Sequence, residues 1–218
     1  QTALMTAVRL ENEVAIEALL KHPETDVDLT DDQGYTALHY AVRGNLLKIA
    51  SLLLPRVKQI NATSSNSHNT VLHLAVYAGN LEMIYALLAH EGIDVNARDR
   101  EGRTPIHLAA KNGRNLILSV LMSQDGVDVN DADDGGETPL HLAVIEGHSG
   151  TVENVLLRNR KVKLNVVDKF NETPLHKAVG KGFTPIFAAL LRHKKAAEII
   201  NIANLEGETI LMLAAKHG

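Results

Sequence analysis

Thr104–Ala109 reads TPIHLA, Thr138–Ala143 reads TPLHLA and Thr173–Ala178 reads TPLHKA. These are the fullest copies of one six-residue frame, Thr-x-(Leu/Ile)-x-x-Ala. It begins at Thr2, Thr36, Thr70, Thr104, Thr138, Thr173 and Thr209, at spacings of 34, 34, 34, 34, 35 and 36 residues. A frame returning at that period marks a repeat architecture, in which each unit buries its apolar face against its neighbours.

The parts of one unit follow from local chemistry. Thr is a helix N-cap, and Pro is favoured at the next position. Leu and Ala at Thr+2 and Thr+5 share one face of a short helix. Gly nine residues after the Thr (Gly79, Gly113, Gly147, Gly182) ends it in the left-handed conformation. A second helix carries a stronger apolar stripe, such as Leu81, Ile84, Leu87 and Leu88, or Val152, Val155, Leu156 and Leu157. Asn/Asp/Gly clusters such as Asn130, Asp133 and Gly136 close the units as turns.

A turn and two helices in ~33 residues is the ankyrin period, and the sequence resembles the ankyrin-repeat family over residues 2–218. The resemblance implies an all-α solenoid of stacked helix-turn-helix units, with β-hairpin tips along one edge. It implies one domain, 1–218, whose first and last repeats are incomplete. First helices and hairpins would line a concave groove. Opening on Thr2 and stopping at Gly218, the terminator of a first helix, the chain reads as a segment of a longer protein.

Departures from the pattern carry expectations of their own. Gly44 falls one residue early, and Glu11 takes the Gly position in repeat one. Register returns at Thr70, so an extra residue is expected in Asn61–Asn69 (NATSSNSHN), which has Ser65 for Asp and His68 for Gly. That hairpin is expected to be mobile or remodelled. Lys177 replaces the Leu seen at Leu74, Leu108 and Leu142, which predicts different packing in repeat six. Repeats five and six carry one and two additional residues, expected around Val162 and Ala197.

Composition excludes several classes of function. The chain has no Cys, so disulfides and thiolate sites are absent. A net charge of −4 argues against nucleic acid as a partner. No apolar run reaches the ~18 residues of a membrane span. Aromatics are 3% of 218 residues, and the small aliphatic residues that replace them suit thin stacked layers.

Five histidines, His39, His73, His107, His141 and His176, stand at Thr+3. Stacked helices lie ~8–10 Å apart whereas Zn–N bonds are ~2 Å, so neighbouring histidines do not share an ion. The resemblance gives them structural hydrogen bonds near the capping Thr. The acidic stretch Asp125–Glu137 fails the calcium-loop pattern at its fifth and twelfth positions. No phosphate-loop, dinucleotide, zinc-protease or nucleophile-elbow motif is present. The chain is read as neither enzyme nor metalloprotein, with no cofactor. Asn61 and Asn171 open glycosylation sequons, discounted because Thr173 is a helix cap. Asn96 resembles the hairpin Asn that asparaginyl hydroxylases modify in the family.

Charge is asymmetric. Residues 1–157 hold 11 basic and 21 acidic side chains, and residues 158–218 hold 11 and 5. Arg158, Arg160, Lys161, Lys163, Arg192, Lys194 and Lys195 follow second helices in adjacent repeats. They form either a solvated face or a dock for an acidic partner.

The expected function is a non-catalytic protein-interaction scaffold, cytoplasmic and monomeric. The resemblance places contacts at Thr−4, Thr−3, Thr−1, Thr+7 and Thr+8, where Arg43 is one such residue. The expected partner-binding anchors are Tyr35, Tyr77, Arg100, Arg103, Lys111, Ile145 and Phe170, because exposed aromatics and Arg anchor interfaces. The alternative is a targeting or regulatory arm of a larger enzyme, toxin, channel or secreted microbial effector.

Overall fold

The computed structural model describes residues 1–217. They form two compact units, one from Gln1 to Arg100 and one from Glu101 onward. Gly218, the expected terminator in repeat seven, lies outside the described residues.

The first unit contains α1 (Ala3–Arg9), α2 (Glu13–Lys21), α3 (Ala37–Arg43), α4 (Leu47–Leu53), α5 (Val71–Ala78) and α6 (Leu81–Leu88). The second contains α7 (Pro105–Lys111), α8 (Asn115–Met122), α9 (Pro139–Ile145), α10 (Ser149–Thr151), α11 (Pro174–Gly180), α12 (Thr184–Arg192) and α13 (Ile210–His217). Helices this short are unstable alone in water and persist by packing. In the first unit α3 packs between α1 and α5; in the second, α7, α9, α11 and α13 follow one another in a row. Ala41, Ala75, Ala109, Ala143 and Ala178, all at Thr+5, are fully buried. Their single methyl groups let neighbouring first helices approach, while Leu38, Leu72, Leu140 and Leu175 fill the layer between them.

The hairpins are turns rather than strands. Asp133 N–H donates to the Glu137 carbonyl at 3.0 Å, and Gly136 N–H to the Asp133 carbonyl at 2.9 Å. One backbone bond joins each tip to the next within a unit: Ser65 N–H to Gln33 O (2.8 Å), Asp134 N–H to Glu101 O (3.1 Å) and Lys169 N–H to Gly135 O (3.0 Å). Among the described residues the sole bridge is the isolated antiparallel pair Ala203–Thr209. Gly136 shows why the tips need glycine. Its φ is 78°, and a Cβ there would lie 2.9 Å from Asp168 Cα on the next tip.

Two readings of register are corrected. Gly44 is not a displaced terminator: it is right-handed (φ −78°), and Asn45 takes the left-handed position at φ 59°. Asn tolerates that region through its short polar side chain. Glu11 takes it in repeat one at φ 52°. Repeat two is shortened instead after α4, where a 3-10 turn over Leu54–Arg56 carries the chain onward. The extra residue does lie in the following hairpin. There Ser64 N–H reaches the Asn69 carbonyl, one residue farther than Asp133 reaches to Glu137. Ser64, rather than Ser65, stands in for the aspartate. It is buried, and its Oγ accepts from Asn69 N–H at 3.1 Å and pairs with Ser67 Oγ at 2.7 Å.

The additional residue of repeat five sits inside the second helix, not around Val162. After α10 the chain forms a π-helix over Val152–Leu156, with Leu157 N–H bonded to the Val152 carbonyl at 2.9 Å. A π-turn absorbs one residue while preserving the buried stripe of Val152 and Leu156. In repeat six a 3-10 turn at Ala196–Glu198 stands where the additional residues were expected.

Candidate functional site

The first helices α1, α3, α5, α7, α9 and α11 each start from a closed cap. Thr138 Oγ1 accepts from His141 N–H at 3.4 Å, while His141 Nδ1 accepts from Thr138 N–H at 3.2 Å. The same reciprocal pair forms at Thr36–His39, Thr70–His73, Thr104–His107 and Thr173–His176. With Nδ1 accepting, the ring proton belongs on Nε2. In two repeats it donates across to the next hairpin: His107 Nε2 to the Asp131 carbonyl at 2.9 Å, His141 Nε2 to the Glu172 carbonyl at 3.1 Å. Burial favours this neutral form and lowers His39 and His141 to about 4. The His107 and His141 rings thus fasten tip to helix, whereas the buried His39 and His176 Nε2 atoms have no hydrogen-bond partner among the described residues. Met5 takes the capping role in repeat one, its sulfur accepting from Thr2 N–H.

The hairpin aspartates complete the frame. Asp168 Oδ1 accepts from the N–H groups of Phe170 and Glu172, both at 2.9 Å. Its Oδ2 meets Lys177 Nζ at 2.5 Å, and Lys177 also reaches Glu172 at 2.7 Å. The different packing expected at Lys177 is therefore an ion pair back to its own hairpin. In repeat two Tyr40, also at Thr+4, donates its hydroxyl to Asp31 Oδ2 at 2.5 Å.

The expected anchors separate into exposed and covered groups. In the first unit Tyr77 is 42% exposed. Arg100 is exposed and donates to the Asn66 carbonyl at 3.2 Å. Tyr35 is half-buried, tilted against His39 and edge-on to Tyr40. In the second unit Phe170 stands out, 52% exposed, with Lys169 and Lys177 ammonium groups 5.5 and 5.3 Å from its ring centre. Arg103 lies flatter than expected, paired with Glu101 at 2.6 Å and with 15% of its side chain exposed. Lys111 and Ile145 are half-buried.

Arg9 and Tyr40 were not among the expected anchors. They join Tyr35 and Arg43 in one group in the first unit, with Arg9 5.6 Å from the Tyr40 ring and Arg43 5.9 Å from the Tyr35 ring. The available signal was Arg at Thr+7 in two successive repeats.

In the second unit Arg158, Arg160, Lys161, Lys163, Arg192 and Lys194 are exposed. Among the described residues none of them forms an ion pair. Lys195 is half-buried and reaches the Val162 carbonyl at 3.4 Å, linking the two basic clusters. Also among the described residues, no three His, Asp or Glu side chains converge as a metal-ligand set. No described helix is long and apolar enough to cross a membrane.

The family model for ankyrin repeats matches residues 1–64, 56–133, 72–163 and 150–218. The p105 subunit of nuclear factor NF-kappa-B from Gallus gallus is 33% identical over 89 residues, 40% of this chain and 9% of that protein. Alpha-latrotoxin-Lg1a from Latrodectus geometricus is 34% identical over 103 residues, 47% of this chain and 8% of the toxin. The chain thus spans under a tenth of either relative. The crystal structure of the ankyrin repeat domain of Bcl-3, of the IkappaB protein family, superposes with a TM-score of 0.87 at 27% identity. That match covers 98% of this chain and 94% of the Bcl-3 chain.

Proposed function

The chain belongs to the ankyrin-repeat family, and from that premise we propose that it is an intracellular, non-catalytic module that binds a protein partner through its hairpin tips and first helices. The observation that carries this reading is Phe170. Its ring is half exposed on a tip whose backbone is held by the Asp168 carboxylate and by Leu205 N–H donating to its carbonyl. A side chain displayed on a pre-formed loop loses little conformational freedom on binding. Tyr77 and Arg100 serve the same role in the first unit, and Arg103, Lys111, Ile145 and Tyr35 support them with partly covered surface. The nuclear-factor relative supports the intracellular placement. We read residues 1–218 as one monomeric repeat array, for which both units unfold in a single transition.

The basic edge from Arg158 to Lys195 is the rival surface, because six exposed cations there lack a counter-ion among the described residues. Affinity capture separates the two. Loss of the captured partner with Phe170→Ala, and its retention with Arg160→Ala plus Lys161→Ala, supports the tips. The reverse result moves the site to the basic edge and to an acidic partner. A second reading, a targeting or regulatory arm of a larger protein, is favoured by the lengths of the relatives, of which the matched parts are 9% and 8%.

A further inference from the structure

The first unit holds a cleft of about 690 Å³ whose walls include Arg9, Tyr40, Arg43, Asp31, Gln33 and Leu46. Arg9 closes α1 and Arg43 closes α3, and both are exposed. Their guanidinium groups lie beside the Tyr40 and Tyr35 rings, which meet edge-on with centres 5.7 Å apart. Such contact holds a guanidinium in place while leaving its N–H donors available. Among the described residues neither arginine forms an ion pair. The adjacent carboxylate, Asp31, is already engaged: it accepts from the Tyr40 hydroxyl and from the N–H groups of Gln33 and Tyr35.

We propose that this cleft receives a carboxylate side chain from an acidic peptide segment of a partner protein, held between Arg9 and Arg43 with the adjoining residue against Tyr40. The inference rests on the proposed interaction function and names the chemistry of its partner. Planar, bidentate recognition of carboxylates is what arginine geometry provides. A phosphate also fits such a fork, but Glu11, Asp31 and Asp32 line the same cleft. Their field disfavours a dianion more than a single carboxylate.

The test selects peptides from a random display library on the full chain, then measures the selected peptides by fluorescence anisotropy. Selected sequences are expected to share an Asp or Glu. Their affinity is expected to fall about tenfold or more with Arg9→Gln plus Arg43→Gln, to recover in part with Arg43→Lys alone, and to hold with Arg160→Gln plus Lys161→Gln. Unchanged melting temperatures establish that each variant is folded. Peptides without a shared acidic residue, or equally tight binding by the Arg9/Arg43 variant, overturn the proposal; sensitivity to Phe170→Ala in that case leaves the interaction function standing. Failure to select any peptide counts against both. Tighter binding when phosphoserine replaces the acidic residue overturns the carboxylate assignment.

Discussion

Lys177 reaches across its own repeat to Asp168, with Nζ 2.5 Å from Oδ2, and the aspartate side chain is 1% exposed. Leu108 and Leu142, at the equivalent Thr+4 position, are buried apolar residues. Burial pushes Asp168 up. The Lys177 ammonium and the N–H groups of Glu172 and Phe170 more than offset it, and hold the carboxyl below its ordinary range. Removing the cation leaves a buried charge with only backbone donors. Lys177→Leu alone is therefore expected to cost about 2–4 kcal/mol. Asp168→Asn in the Lys177→Leu background should recover much of it, because an amide needs no counter-ion. Urea melts of the single and double variants check this. A silent Lys177→Leu would mean the pair contributes nothing.

The buried histidines set a pH dependence. His39 and His141 are lowered by burial to about 4, so the native state keeps them neutral while the unfolded chain takes up protons from about pH 6.5. Their contribution is full above about pH 6.5 and is lost as pH falls toward about 4. At pH 5 each should have lost about 2 kcal/mol. Denaturation midpoints at neutral pH and at pH ~5 measure the difference. His141→Asn, which abolishes one titration, should flatten the slope. An equal slope in that variant would refute the assignment.

Glu11 holds φ at 52° where later repeats place Gly79, Gly113, Gly147 and Gly182. A residue with a Cβ pays about 1 kcal/mol or more there. Glu11→Gly is expected to stabilise the first unit by about 0.5–1 kcal/mol. Gly136→Ala should do the opposite, since its Cβ would press on Asp168 Cα. Thermal melts of the two variants should shift in opposite directions.

Caps and core can be ranked. Thr138→Ala breaks the reciprocal pair with His141 and should cost about 1 kcal/mol. Leu140→Ala empties a site that is 1% exposed and should cost about 2–5 kcal/mol. If Leu140→Ala were the milder change, the buried face would be misassigned.

The remodelled hairpin makes a kinetic prediction. Ser64 Oγ replaces a carboxylate that elsewhere accepts two backbone N–H groups, as Asp133 does from Gly135 and Glu137. Local opening should be easier. Amide exchange at 64–69 is expected to outpace that at 133–137.

The repeat period, the caps, the core face and the tip positions were all legible in the sequence. Each is written by a residue type at a fixed offset: Thr138 as cap, Leu140 as core, Gly147 as terminator. A single interrupted offset was not legible. The sequence alone does not tell whether Gly44 or Asn45 turns left-handed, because both residue types tolerate that region, and packing decides. The added residue of repeat five is likewise invisible. It goes into the π-turn at Val152–Leu156, where the buried stripe survives the insertion. Exposure needed the tertiary structure most. Arg103 and Phe170 look alike as anchors in the sequence, yet Glu101 holds one down and the backbone around Asp168 holds the other out. The sequence determined which residues repeat; the folded geometry of each tip, set by its own ion pair and backbone hydrogen bonds together with the neighbouring tip, decided which of them face solvent.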